Sequence, residues 1–104
     1  MTTLIVRLRG NLSTEEVAAA GDDTGTLARI VASLDPDSYP YLAYVDIFGT
    51  TVFNRLQADR VIRELTQLRE EEGVERIKGV IDQMIQLATQ CRDEVHLFLE
   101  FEGD

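Results

Sequence analysis

Two apolar stripes in the C-terminal half constrain this chain more than any other feature. Ala58, Val61, Ile62, Leu65 and Leu68 recur at helical spacing, and so do Val74, Ile77, Val80, Ile81, Met84, Leu87, Ala88 and Cys91. At about 100° per residue the second stripe is rotated by about a third of a turn from the first, so one straight helix cannot bury both. Between them stand Glu70, Glu71, Glu72 and Gly73. Acids are unfavourable at the negative end of a helix, and glycine accepts the left-handed cap that closes one. The pattern predicts a helical hairpin turning near Gly73, or else a sharply bent helix.

The chain ends supply strands. In LIVRLR, Leu4, Val6 and Leu8 alternate with Ile5, Arg7 and Arg9 before Gly10 and Asn11 end the pattern. In EVHLFLEFEGD, residues 94–104, Val95, Leu97, Leu99 and Phe101 alternate with His96, Phe98, Glu100 and Glu102. Placing the acids of the second segment across from Arg7 and Arg9 makes the first and last strands neighbours, since opposite charges on adjacent strands favour a register. Ile5 and Phe98 are apolar on the polar faces. They imply either partial cover of that face or contact with another chain, including a second copy.

The middle is built from short pieces. Ser13 followed by Glu16 has the capping-box spacing, flanked by Leu12 and Val17, which predicts a short helix through Val17 to Ala20 closed at Gly21. Leu27, Ile30, Val31 and Leu34 predict a second short helix, broken by Asp35 and Pro36. DPDSYPY, with both prolines of the chain, is a loop. Tyr41 to Ile47 is rich in strand formers, Phe48-Gly49-Thr50 has turn character and Thr51 to Phe53 is β-branched or aromatic, which predicts a β-hairpin. Asn54 and Gln57 again have capping-box spacing and open the long helical region. The elements together give one α+β domain, residues 1–104, with a small, largely antiparallel sheet of about four strands and the helices packed mainly on one face.

Composition narrows the function classes. The 104 residues carry 19 acids against 10 bases, a formal charge of −9, which repels phosphate backbones and argues against nucleic acid as a partner while favouring a basic protein. No stretch of about 18 apolar residues is present to span a bilayer. Cys91 is the only cysteine, so no internal disulfide forms, and a reducing, cytoplasmic setting is expected.

No catalytic constellation is evident. His96, the only histidine, would need Asp46, Glu100 or Cys91 as a partner, and no cysteine-protease signature surrounds Cys91. Asp46, Asp93, Glu94 and Asp104 offer oxygen ligands without EF-hand spacing, and Gly21 and Gly25 lack the Gly-Lys pair of a phosphate loop. We therefore expect no catalytic residue, no metal and no cofactor. Thr50, Thr51, Asn54 and Gln57 serve a turn and a cap on the simplest account. The alternative keeps Asp46, Phe48, Asn54 and Gln57 as an exposed recognition patch. An Asp in an apolar strand either accepts hydrogen bonds inward or offers a charge outward.

The segments D-x-x-G-x-T-V-F-N-x-x-Q, Asp46 to Gln57, and E-V-H-L-x-L-x-F-x-G-D, Glu94 to Asp104, resemble a group of small uncharacterised bacterial proteins across roughly the C-terminal half. That resemblance implies no activity. In size, acidity and lack of an assembled active site the chain is similar to bacterial immunity and antitoxin proteins. Such a likeness implies a non-enzymatic inhibitor that occludes a basic toxin or effector. Tyr41, Tyr44 and Phe48 are the candidate aromatic anchors, and Asp46, Glu70, Glu71, Glu72 and Glu75 the charged contacts. Two alternatives stand beside it: a homo-oligomeric structural or regulatory domain that buries the Phe98 face, and a small hydrolase using His96.

Overall fold

Apolar alternation along the first strand sets the layers. A computed structural model describes residues 3–10, 16–22 and 24–103. In it, Leu4, Val6 and Leu8 of strand β1 (Leu4–Gly10) are buried, while Arg7 and Arg9 stay on the outer face. Strand β2 (Glu16–Asp22) pairs antiparallel with β1, and so does β4 (Leu97–Gly103) on its other side. Strand β3 (Thr50–Phe53) pairs antiparallel with β4, giving a four-stranded sheet in the order β2-β1-β4-β3.

Helix α1 (Thr26–Ala32) follows β2, and two longer helices, α2 (Arg55–Arg69) and α3 (Lys78–Asp93), form the expected hairpin. The turn comes at Gly73, whose φ of 88° lies in the left-handed region open to glycine. A 3-10 turn, Glu75–Ile77, leads into α3. Both stripes now face one core: Ala58, Val61, Leu65 and Leu68 meet Ile81, Met84, Ala88 and Cys91 over the inner faces of β1 and β4. Helix α2 packs over β3 and β4, and α3 over β2 and β1. Arg69 with Asp82 (2.6 Å) and Arg92 with Asp59 (3.6 Å) tie the two helices together near their opposite ends.

The first and last strands are neighbours as expected, with a diagonal twist in their ion pairs. Arg7 sits opposite Glu100 and Arg9 opposite Phe98 in register, yet Arg7 bonds Glu102 (2.8 Å) and Arg9 bonds Glu100 (2.7 Å). Each pair reaches two residues along β4, within the range of long side chains on adjacent strands.

Three expectations are corrected. The segment from Val17 to Ala20 is strand, not helix, and Gly21 continues that strand. Alanine favours helix locally, but Ala18, Ala19 and Ala20 pair with Leu8, Arg7 and Val6, and tertiary pairing overrides a weak propensity. The capping box expected at Ser13 lies outside the described residues. Tyr41 to Ile47 does not form a strand; it holds a 3-10 turn, Leu42–Tyr44, and then a turn around Phe48, so β3 has β4 as its partner. Finally, β4 starts at Leu97. Val95 is exposed, and His96 takes a positive φ of 69° in the turn before it.

Candidate functional site

The segment from Tyr39 to Tyr44 is a strap laid along α2, and the polar groups that hold it there explain why it is not a strand. Glu64 is only 6% exposed, and its carboxylate accepts the Tyr41 N–H (3.0 Å) and the Leu42 N–H (2.8 Å). These are the free donors at the start of the 3-10 turn, so a buried negative charge meets the positive end of a helical turn. Tyr41 is anchored a second time, its ring 5.8 Å from that of Phe53, which in turn meets Phe101 edge-on at 5.6 Å.

Gln57 and Glu64 are seven residues apart and so lie nearly on one line down α2, and Glu71 follows just beyond its end. The strap follows that line. Tyr41 and Tyr44 lie near Gln57, Tyr41 and Leu42 at Glu64, and Tyr39 beside Gln67 and Glu71.

Exposed apolar side chains gather in the segment that leads into α2. Tyr44 (74% exposed), Phe48 (70%), Val52 (49%) and Leu56 (78%) all fall within residues 44–56, four of the five large apolar side chains exposed among the described residues. Two shallow pockets flank Tyr44 and Val52: one of 320 Å³ bordered by Pro40, Tyr41 and Gln57, the other of 360 Å³ bordered by Asp46, Thr50 and Thr51. Asp46 is exposed and bound into its own turn. Its carboxylate accepts the Phe48 N–H (2.9 Å), and its N–H donates to Thr51 Oγ1 (2.9 Å). The turn is pinned to the sheet by Gly103, whose N–H donates to the Gly49 carbonyl (2.8 Å) and where any side chain would run into the Ile47 carbonyl. Asn54 and Gln57 form the expected capping box, with Gln57 N–H to Asn54 Oδ1 at 3.0 Å and Asn54 N–H to Gln57 Oε1 at 2.9 Å. Gln57 therefore serves the cap while also walling a pocket.

The C-terminal end of α2, about 22 Å away over 15 residues, is acidic. Glu70, Glu71 and Glu72 are exposed there, and only Glu70 meets a base, Arg69, at 3.6 Å among the described residues. Glu75 accepts the Gly73 N–H (3.4 Å), and hydrogen bonds from its own and the Gly73 backbone hold its carboxyl below the usual range. A groove of 340 Å³ lies between this end of α2 and the end of α1, and Tyr39 lines it. The candidate residues thus fall into two groups, one at each end of α2, linked by the strap.

His96 is exposed and makes no hydrogen bond or ion pair among the described residues. Cys91 is buried, its Sγ 3.6 Å from the Leu97 carbonyl, and burial pushes its thiol pKa up. Asp93 is paired with Arg92 (2.8 Å), and no group of three His, Cys, Asp or Glu side chains converges to hold a metal among the described residues. No helix among them is long and apolar enough to cross a membrane.

Sequence reasoning missed Glu64, Tyr39, Val52 and Leu56. For Glu64 a signal was present: an acid at the border of the stripe formed by Val61, Leu65 and Leu68 is placed where it needs buried donors. Comparison with protein-family models, with curated proteins and with solved structures finds no match.

Proposed function

We propose that this chain is a non-enzymatic binding protein that holds a basic protein partner across the strap side of α2, in the manner of an immunity or antitoxin-like inhibitor acting in the cytoplasm. One observation carries the reading: exposed apolar side chains and unmatched carboxylates sit at the two ends of one helix, bridged by a strap fixed at Glu64. Tyr44, Phe48 and Leu56 are large apolar groups left in water, the kind of side chain that supplies the desolvated centre of an interface. The acids at the other end attract a basic surface before contact and orient it. Occlusion follows without any bond being made or broken.

The test is kinetic. A partner recovered from the native host and purified should associate at least about tenfold faster at low than at high ionic strength. Tyr44→Ala should weaken the complex mainly through its dissociation rate, with the fold unchanged because the ring is exposed. A rate indifferent to salt together with an unaffected Tyr44→Ala complex refutes the reading.

A second reading rests on the outer face of the sheet, where Ile5 and Phe98 are half-buried and Val52 is exposed beside the Arg7–Glu102 and Arg9–Glu100 pairs. A face so composed suits a second copy of the chain. Light scattering separates the two, since a monomer at high concentration removes the homodimer.

A further inference from the structure

Among the described residues, one buried polar group stands without a partner: the Tyr39 hydroxyl. Tyr39 is 3% exposed, and its Oη makes no hydrogen bond among the described residues. A buried hydroxyl without a partner is costly to the fold, so its persistence needs an explanation. Glu71 and Gln67 lie close enough to act on the phenol, though neither meets it in hydrogen-bond geometry, and with Tyr39 they wall the groove between the ends of α1 and α2, so the hydroxyl faces that groove. Burial, then Glu71, raise the phenol's pKa and keep it protonated.

The charged side chains that line the groove, Asp35, Glu71 and Glu72, are all acidic. Glu71 and Glu72 have no cationic partner among the described residues, and Arg69, the nearest base in sequence, is engaged by Asp82 and Glu70. Asp35 stands on the far wall, its carboxylate accepting from Ser38 Oγ (3.1 Å). The carbonyl end of α2 adds its own partial negative charge. Half-buried Ile30 and Leu34 offer an apolar bed beside the acids.

We infer that this groove is a receptor for one arginine side chain of the partner, its guanidinium held by Glu71, Glu72 and the Tyr39 oxygen and its alkyl stem laid on Ile30 and Leu34. A guanidinium has five N–H donors in a planar fork and no acceptor, which matches several oxygens spread around one groove better than the compact ammonium of lysine does. The phenol oxygen, idle in the free chain, gains a donor. The assignment deepens the basic-partner reading and rests on it.

A small probe tests the groove without the partner. The full ¹⁵N-labelled chain is titrated with N-acetyl-arginine amide, and with the neutral N-acetyl-citrulline amide and the lysine analogue as controls. Saturable shifts are expected at the amides of Tyr39, Gln67 and Glu71, with a dissociation constant of about a millimolar. The Glu71→Gln/Glu72→Gln variant should weaken binding about tenfold or more, and Tyr39→Phe severalfold. Both acids are exposed, so an unchanged amide spectrum reports an intact fold. Absent or unsaturable shifts, equal shifts with citrulline, or equal affinity for the lysine analogue would overturn the inference. The two readings fail separately: a partner that binds the double variant unchanged removes the groove and leaves the basic partner standing, while arginine amide that binds in the groove of a chain with no basic partner does the reverse.

Discussion

Removing the Glu64 carboxylate should release the strap, and the size of the effect can be worked from its geometry. Glu64 Oε1 accepts from Leu42 N at 2.8 Å and from Tyr41 N at 3.0 Å, with Oε2 also 3.0 Å from Tyr41 N. Hydrogen bonds to a charged, buried acceptor contribute about 1.5–3 kcal/mol each, so Glu64→Ala, which strands two backbone donors, should cost about 3–5 kcal/mol. In a domain of this size that is on the order of 15–25 °C in melting temperature. Glu64→Gln keeps one oxygen within reach of both donors but turns an amide NH₂ toward the Tyr41 N–H. It should cost about 1–2 kcal/mol, a smaller loss of the same kind. Urea denaturation followed by circular dichroism measures both, since the chain has no tryptophan to report by fluorescence. Hydrogen exchange adds a local readout: the Tyr41 and Leu42 amides should lose protection in Glu64→Ala more than the amides of β1 do. A Glu64→Ala variant within about 0.5 kcal/mol of the parent, or one more stable than Glu64→Gln, refutes the claim that this carboxylate fixes the strap.

Three other perturbations have definite signs. Gly73→Ala should destabilise by about 1 kcal/mol, measured by the same urea titration; its Cβ would meet no atom, so the cost comes from the positive φ alone. Cys91 should react with a thiol reagent at least about a thousandfold more slowly in the native chain than in denaturant, because it is fully buried and its raised pKa leaves little thiolate; fast native labelling would contradict this. Burial raises the Asp22 carboxyl, but hydrogen bonds from Leu27 N–H (2.9 Å) and from Thr24 outweigh it, so its pKa lies below the ordinary aspartate value. A depressed folded pKa gives stability present above the unfolded value of about 4 and lost as pH falls through the folded one, and Asp22→Asn should flatten the stability curve in that acid window alone.

What could be read in advance was whatever is decided locally or by a repeating pattern. The Asn54–Gln57 box spans four residues, the two stripes of α2 and α3 repeat over several turns, and the Gly73 turn lies at the one place where they change phase. The β1–β4 pairing was also legible, because Arg7 and Arg9 at one end of the chain needed Glu100 and Glu102 at the other. Failures came where a distant group decides. Residues 41–47 have strand-forming side chains, but their backbone conformation is settled by Glu64, 22 and 23 residues further on. The alanines of β2 favour helix in isolation and become strand because the second edge of β1 needs a partner. Among the site residues, Tyr44 and Phe48 are exposed as the aromatic-anchor reading requires. Tyr41 is largely engaged by Phe53 and Glu64, and no property of a tyrosine in a proline-rich loop distinguishes those two outcomes.

The charge of the chain has an address as well as a size. Exposed ion pairs such as Arg63–Asp59 or Arg92–Asp93 add little to stability, yet each neutralises a carboxylate where it stands. On the outer sheet face Arg7 and Arg9 do the same for Glu102 and Glu100, and Arg69 does so for Asp82 between the helices. Glu71 and Glu72 lack such a match among the described residues, and they follow directly on the carbonyl end of α2, whose partial charge has the same sign. Like charges crowded at a helix C-terminus lower the stability of the free fold. A cation bound there removes that repulsion as well as making new contacts, so by linkage a partner that neutralises this end stabilises the fold it binds. The cost the chain carries at residues 70–72 is, on the proposed reading, the source of its preference for a basic surface over a neutral one of the same shape.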